Sequence, residues 1–137
     1  MRLPGWLCIG TVAGLSLVGC SSDPPATTAR PCAGVVRSSD PAATLPSDVP
    51  APASATFVEL EKQGATRRYF AQLPGDNVVQ VRDEVLAQFR TAGYQIVDSD
   101  AEGNAEAEFD FRGAHEGSLA VTPLCDGMVQ LRFRLSS

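Results

Sequence analysis

Lysine is almost missing from this chain. Lys62 stands alone beside ten arginines, and acidic residues outnumber basic ones, for a formal net charge of −5. That balance excludes the basic patch or stripe that nucleic-acid binding needs. Histidine is also single, at His115. A zinc centre wants four soft or borderline ligands, and one histidine with scattered cysteines does not supply them. There is no glycine-rich phosphate loop and no G-x-S-x-G nucleophile elbow. No apolar run approaches the roughly 20 residues that span a bilayer core. These absences remove most of the common catalytic and transport classes, and no cofactor is expected.

What is present begins at the amino terminus, "MRLPGWLCIGTVAGLSLVGCSSD". Arg2 gives a short positive region, and Leu7 to Val18 is an apolar stretch of about twelve residues. This is the layout of a cleaved export signal. It closes on Leu17-Val18-Gly19-Cys20, which resembles the lipobox of bacterial lipoproteins. The resemblance implies cleavage after residue 19, lipidation of Cys20, and anchoring on the extracytoplasmic side of the cell membrane. Two or three acyl chains would make that anchoring stable, whereas one gives marginal binding. An ordinary export signal with an incidental cysteine is the alternative. Cys8 lies inside the apolar stretch and would be discarded.

Residues 20–54 are rich in Ala, Pro, Ser and Thr. Few large apolar side chains are available to offset the entropy of ordering, so the composition predicts a mostly disordered linker. Val35 and Val36 interrupt it and mark a short piece that docks on the folded part. Cys32 and Cys125 are the remaining cysteines. In an oxidising compartment they are expected to pair. Free thiols, an intermolecular bridge and metal ligation are the alternatives. A bridge would cut the free tether to residues 21–31, with a reach of about 20 Å if flexible.

The periodic part is residues 55–137. "TFVELEKQGATRRYFAQL" reads as two strands around Gln63-Gly64. A short helix opening at Ser54 is the alternative there. Val78, Val81, Val85, Leu86 and Phe89 recur at spacings of three and four, which predicts an amphipathic helix of about 16 residues. Asn77 is its N-cap, with Gln80 completing a capping-box pattern, and Gly93 follows its last turn. "YQIVD" is a short strand. "AEAEFDFR" and "MVQLRFRL" alternate apolar and polar, and "SLAVTPL" places Leu119 and Val121 together. Asp126-Gly127 is a hairpin signal. The order β-β-α-β-β-β-β predicts a two-layer α+β domain, an antiparallel sheet with one amphipathic helix on one face. The opposite face would be solvated and charged. The domain resembles the small uncharacterised lipoprotein domains of high-GC Gram-positive bacteria.

Candidate chemistry concentrates in "DSDAEGNAEAEFD". Asp98, Asp100 and Gly103 match positions 1, 3 and 6 of a calcium loop, and Glu102 falls at position 5. Position 12, which should be a bidentate Glu, is Phe109, so the loop lacks two oxygens. The competing reading is a turn, "DAEGN", leading into a core strand, although Ala105 to Glu108 are good helix formers. His115 reads as a solvated loop residue. Glu106 and Glu108 share one environment, which does not push their pKa values apart as acid–base work requires. The sequence therefore favours a lipid-anchored, non-enzymatic interaction or structural module of the cell envelope, held to the membrane by Cys20 and meeting an envelope protein. The alternatives are a small-ligand or cation binder near Asp98–Glu102, and an uncharacterised enzyme.

Overall fold

The computed structural model describes residues 30–136. The signal segment and Cys20 lie outside the described residues. Seven elements follow one another: β1 (Thr56–Gln63), β2 (Thr66–Pro74), α1 (Val78–Thr91), β3 (Gln95–Glu102), β4 (Glu106–Arg112), β5 (Glu116–Cys125) and β6 (Met128–Ser136). The class is α+β, with six antiparallel strands and a single helix among the described residues. Across the sheet, however, the order is β1-β2-β6-β5-β4-β3, which is not the order along the chain.

The reason is directional. A helix that returns the chain to its starting side leaves β2 and β3 parallel, so β3 cannot fill the antiparallel slot beside β2. Helix α1 instead delivers β3 to the far edge. Three hairpins then step back, and β6 arrives in the required direction. It pairs with β2 from Thr66↔Ser136 to Pro74↔Met128. The last of those hairpins turns at Gly127, whose φ of +70° suits glycine.

The helix is 14 residues long rather than about 16. The predicted apolar stripe is its buried face, and Phe89 is fully enclosed by Tyr94, Phe109 and Phe111, with ring centroids 5.0, 5.2 and 4.5 Å away. Asn77 caps the start by accepting from the Gln80 amide at 3.0 Å. The capping box is not completed, because the Gln80 side chain donates to Glu84 instead. A second cap comes from outside the helix. Asn104, in the β3–β4 turn, accepts from the Val78 amide at 2.8 Å and donates to the Asp76 carbonyl at 2.9 Å. At the other end, Gly93 has φ +88°. The Gly93 amide bonds the Arg90 carbonyl and the Tyr94 amide bonds that of Phe89, a Schellman closure. The Phe89–Tyr94 ring contact is the apolar partner that such closures often carry.

Arg82 is the unexpected member of the buried helix face. Its guanidinium donates to the carbonyls of Asp100 and Glu108 at 2.7 and 3.0 Å, and its Nε to Asp83 at 2.7 Å. The stem therefore packs as an apolar side chain while the head ties α1 to neighbouring strands of the β3–β4 hairpin.

Helix α1 packs on β3, β4 and β5. The remaining core is covered by residues 43–51 of the 30–54 stretch, which is not a free linker. This stretch forms a strap with little regular structure. Ala43 and Val49 are buried, and Leu45 and Ala51 pack against the core. Polar contacts fix its course. Gln72 is buried because the Arg37 amide donates to its Oε1 and its Nε2 donates to the Val35 carbonyl. Arg37 pairs with Glu59, and the Asp40 amide donates to the Phe57 carbonyl at 2.8 Å. Short apolar side chains suffice here because Cys32 is bonded to Cys125 (Cα–Cα 5.1 Å) and removes much of the ordering cost.

Candidate functional site: the charged face of the sheet

Because strand side chains alternate, covering one face with α1 and the later part of the strap leaves most of a second face in solvent, with strap residues 35–37 lying over only its Gln72 and Glu59 corner. The register orders that face into rows. One row runs Asp98, Asp110, Ser118, Arg134, Arg68, Glu61 from β3 to β1. The next runs Asp100, Glu108, Ala120, Arg132, Phe70, Glu59. Strands β3 and β4 are thus an acidic half, β6 and β2 a basic band, and β5 a valley of small residues between them. Glu108 and Asp110 stand on one side of this open groove, Arg132 and Arg134 on the other, with a volume of about 550 Å³.

Like charges face each other across strand pairs: Asp98 with Asp110, Asp100 with Glu108, Glu102 with Glu106, and Arg68 with Arg134. Directly opposed like charges destabilise a sheet. Little relief comes from within. Among the described residues the ion pairs on this face are Arg68–Glu61 at 3.6 Å, Arg112–Glu116 at 3.4 Å, and Glu59 with Arg37 of the strap. Arg132, Arg134, Glu108 and Asp110 make none within 4.0 Å.

Glu108 registers the strain. Partial burial raises its pKa above the ordinary carboxylate value, and Glu106, Asp110 and Asp100 raise it further, against a lowering by Arg132. A carboxyl with a raised folded-state pKa opposes folding at high pH, and that penalty disappears as pH falls through the folded pKa. We expect Glu108→Gln to raise stability at neutral pH by about 0.5 kcal/mol, the scale of one opposed pair. The gain should vanish when melting is repeated on the acid side of the Glu108 titration. An equal gain at every pH would show that charge is not its source.

The acidic stretch is strand and turn rather than a calcium loop, and the turn read from "DAEGN" is present but starts later, at Gly103, and leads into the core strand β4. Asp98, Asp100 and Glu102 are alternate residues of β3, and the turn comes after them, where the Ala105 amide bonds the Glu102 carbonyl. Among the described residues no group of three His, Cys, Asp or Glu side chains is placed to hold a metal ion.

His115 is not a free loop residue. It lies in the β4–β5 turn, 2.9 Å from the Asp48 carboxylate of the strap, and the Tyr94 hydroxyl donates to the Asp48 carbonyl at 3.1 Å. The Tyr94 hydroxyl is held to a raised pKa, first by burial and then by Asp48. These groups fasten the strap.

Sequence reasoning located Glu106, Glu108 and Asp110 on one strand face but missed their juxtaposition with β3 and the arginine band. The signal was available in part: Arg132 and Arg134 alternate with Leu131, Phe133 and Leu135. Their neighbours depend on the sheet order. No family model, curated protein or solved structure matches the chain.

Proposed function

We propose that this is a lipid-anchored protein of the cell envelope, held by Cys20 on the extracytoplasmic side of the membrane, whose folded part is a non-enzymatic interaction module. The observation that carries the interaction reading is the exposed sheet face, where charges are segregated by strand and, among the described residues, the central Glu108, Asp110, Arg132 and Arg134 have no ion-pair partner within 4.0 Å. Such an arrangement costs stability unless another surface supplies the opposite charges. The compartment is supported by the Cys32–Cys125 disulfide, since such bonds persist in oxidising surroundings. The anchor is supported by Leu17-Val18-Gly19-Cys20. Among the described residues no helix is long and apolar enough to cross a membrane.

The anchor is tested in cells fed a labelled fatty acid. The natural chain should take up label and partition with membranes. The Cys20→Ala variant should take up none and accumulate with its first 19 residues attached. Labelling of that variant, or a natural chain free of lipid, would end the anchored reading.

A further inference from the structure

We propose that the charged face is an interface between two copies of this chain, stacked about a two-fold axis that runs along β5. This names a partner for the face and rests on its reading as an interaction surface, not on anchoring at Cys20.

The charge on the face changes sign about β5. Moving outward from Ser118 in its row, one side meets Asp110 then Asp98, and the other meets Arg134 then Arg68. From Ala120, one side meets Glu108 then Asp100, and the other Arg132 then the uncharged Phe70, so this row supplies one complementary pair. Rotation about an axis parallel to β5 exchanges the two sides and keeps each row in place. Asp110 of one copy then faces Arg134 of the other, Asp98 faces Arg68, and Glu108 faces Arg132. The symmetry makes each pairing occur twice. An isologous contact requires this self-complementarity.

Other orientations fail. An axis along the rows stacks acid on acid. Edge-to-edge pairing of β3 with a second β3 aligns Asp98, Asp100 and Glu102 with their own kind, which an acidic edge opposes.

The valley permits the approach. Ser118 and Ala120 are short, and Ala120 is only 5% exposed, so the axis passes where the surface is lowest. Arginine is suited to the pairing because its guanidinium is weakly hydrated and grips a carboxylate in bidentate fashion. Five strands at about 4.8 Å spacing and about seven residues each give roughly 550 Å² per copy, or about 1,100 Å² in total. That clears the lower bound of a specific interface and places the dimer in the weak, reversible class.

Sedimentation of the full chain tests this. At about 50 mM salt we expect a monomer–dimer equilibrium in the micromolar range, weakening at least tenfold by about 500 mM as the facing charges are screened. The double variants R132E/R134E and E108R/D110R should each be monomeric, their circular dichroism unchanged because all four side chains are exposed. An equimolar mixture of the two should recover a heterodimer. A chain that stays monomeric at about 200 μM in low salt, or a dimer that both double variants retain, overturns the proposal. Photo-crosslinking from Ser118 in cells separates this from the broader reading. A homodimeric adduct supports the proposal. An adduct only with another envelope protein sinks the dimer while leaving the interaction module in place.

Discussion

Replacing both bridging cysteines, as Cys32→Ser with Cys125→Ser, should cost about 3–4 kcal/mol of folding stability. The bond closes a loop 93 residues long. Chain-entropy estimates for such a loop reach about 4–5 kcal/mol, and a compact unfolded state reduces the figure. For a domain of this size the midpoint of thermal unfolding should fall by about 20 °C. The loss should begin at the strap. Its apolar contacts are small side chains, and without the bridge residues 33–54 lose their amino-terminal fixing point. Calorimetry gives the magnitude, and limited proteolysis gives the place, with early cleavage between residues 33 and 54 only in the variant. A midpoint within about 5 °C of the natural protein would mean that the buried Val49 and Ala43 and the Asp48 contacts hold the strap unaided.

The second large effect is at Arg82. Arg82→Ala should cost about 3 kcal/mol or more, since hydrogen bonds from a charged donor each contribute about 1.5–3 kcal/mol and the two strand carbonyls lose theirs together. Packing and hydrogen bonding are separable. Arg82→Met keeps the stem and removes the donors, so it should be nearly as damaging as alanine. Arg82→Lys retains a charge without the planar fork and should fall between the natural protein and Met. Urea midpoints rank the series, and amide exchange in β3 should accelerate in the order of destabilisation. A Met variant as stable as the natural chain would assign the role of Arg82 to its hydrocarbon stem alone.

Arg82 also marks what sequence periodicity does not reveal. A helix stripe is read from apolar residues, and an arginine on that stripe is invisible until its acceptors are known. Those acceptors are main-chain carbonyls of Asp100 and Glu108, and no side-chain pattern announces them. Asn104 is a similar case, because capping a helix from a distant turn leaves no local signature. Strand β3 runs beyond what periodicity predicts because Asp98 to Glu102 alternate acidic residues with Ser99 and Ala101, giving no apolar face to count. All five are exposed at the sheet edge, where burial imposes no such pattern.

Elements governed by local rules were legible. Asn77, the Val78-to-Phe89 stripe, the alternation of β4 and β6, and the Asp126-Gly127 turn all follow from short-range chemistry. Residues 30–54 misled through composition. Proline, alanine and serine describe an unfolded chain well, but one covalent bond and a few polar contacts to Gln72, Glu59, Tyr94 and His115 are enough to lay such a chain on a surface. The candidate site was half legible. Its charges are in the sequence, whereas their segregation comes from β6 inserting between β2 and β5.

The position of the bridge also decides where force enters the molecule. A pull applied from the chain before Cys32 reaches the sheet through sulfur at Cys125, at the end of β5. The strap from residue 33 to residue 55 lies parallel to that covalent path and carries no tension. The load therefore falls on β5, an interior strand paired on both sides by β4 and β6. Edge strand β1, which follows the strap and is paired only with β2, is spared from being peeled away first.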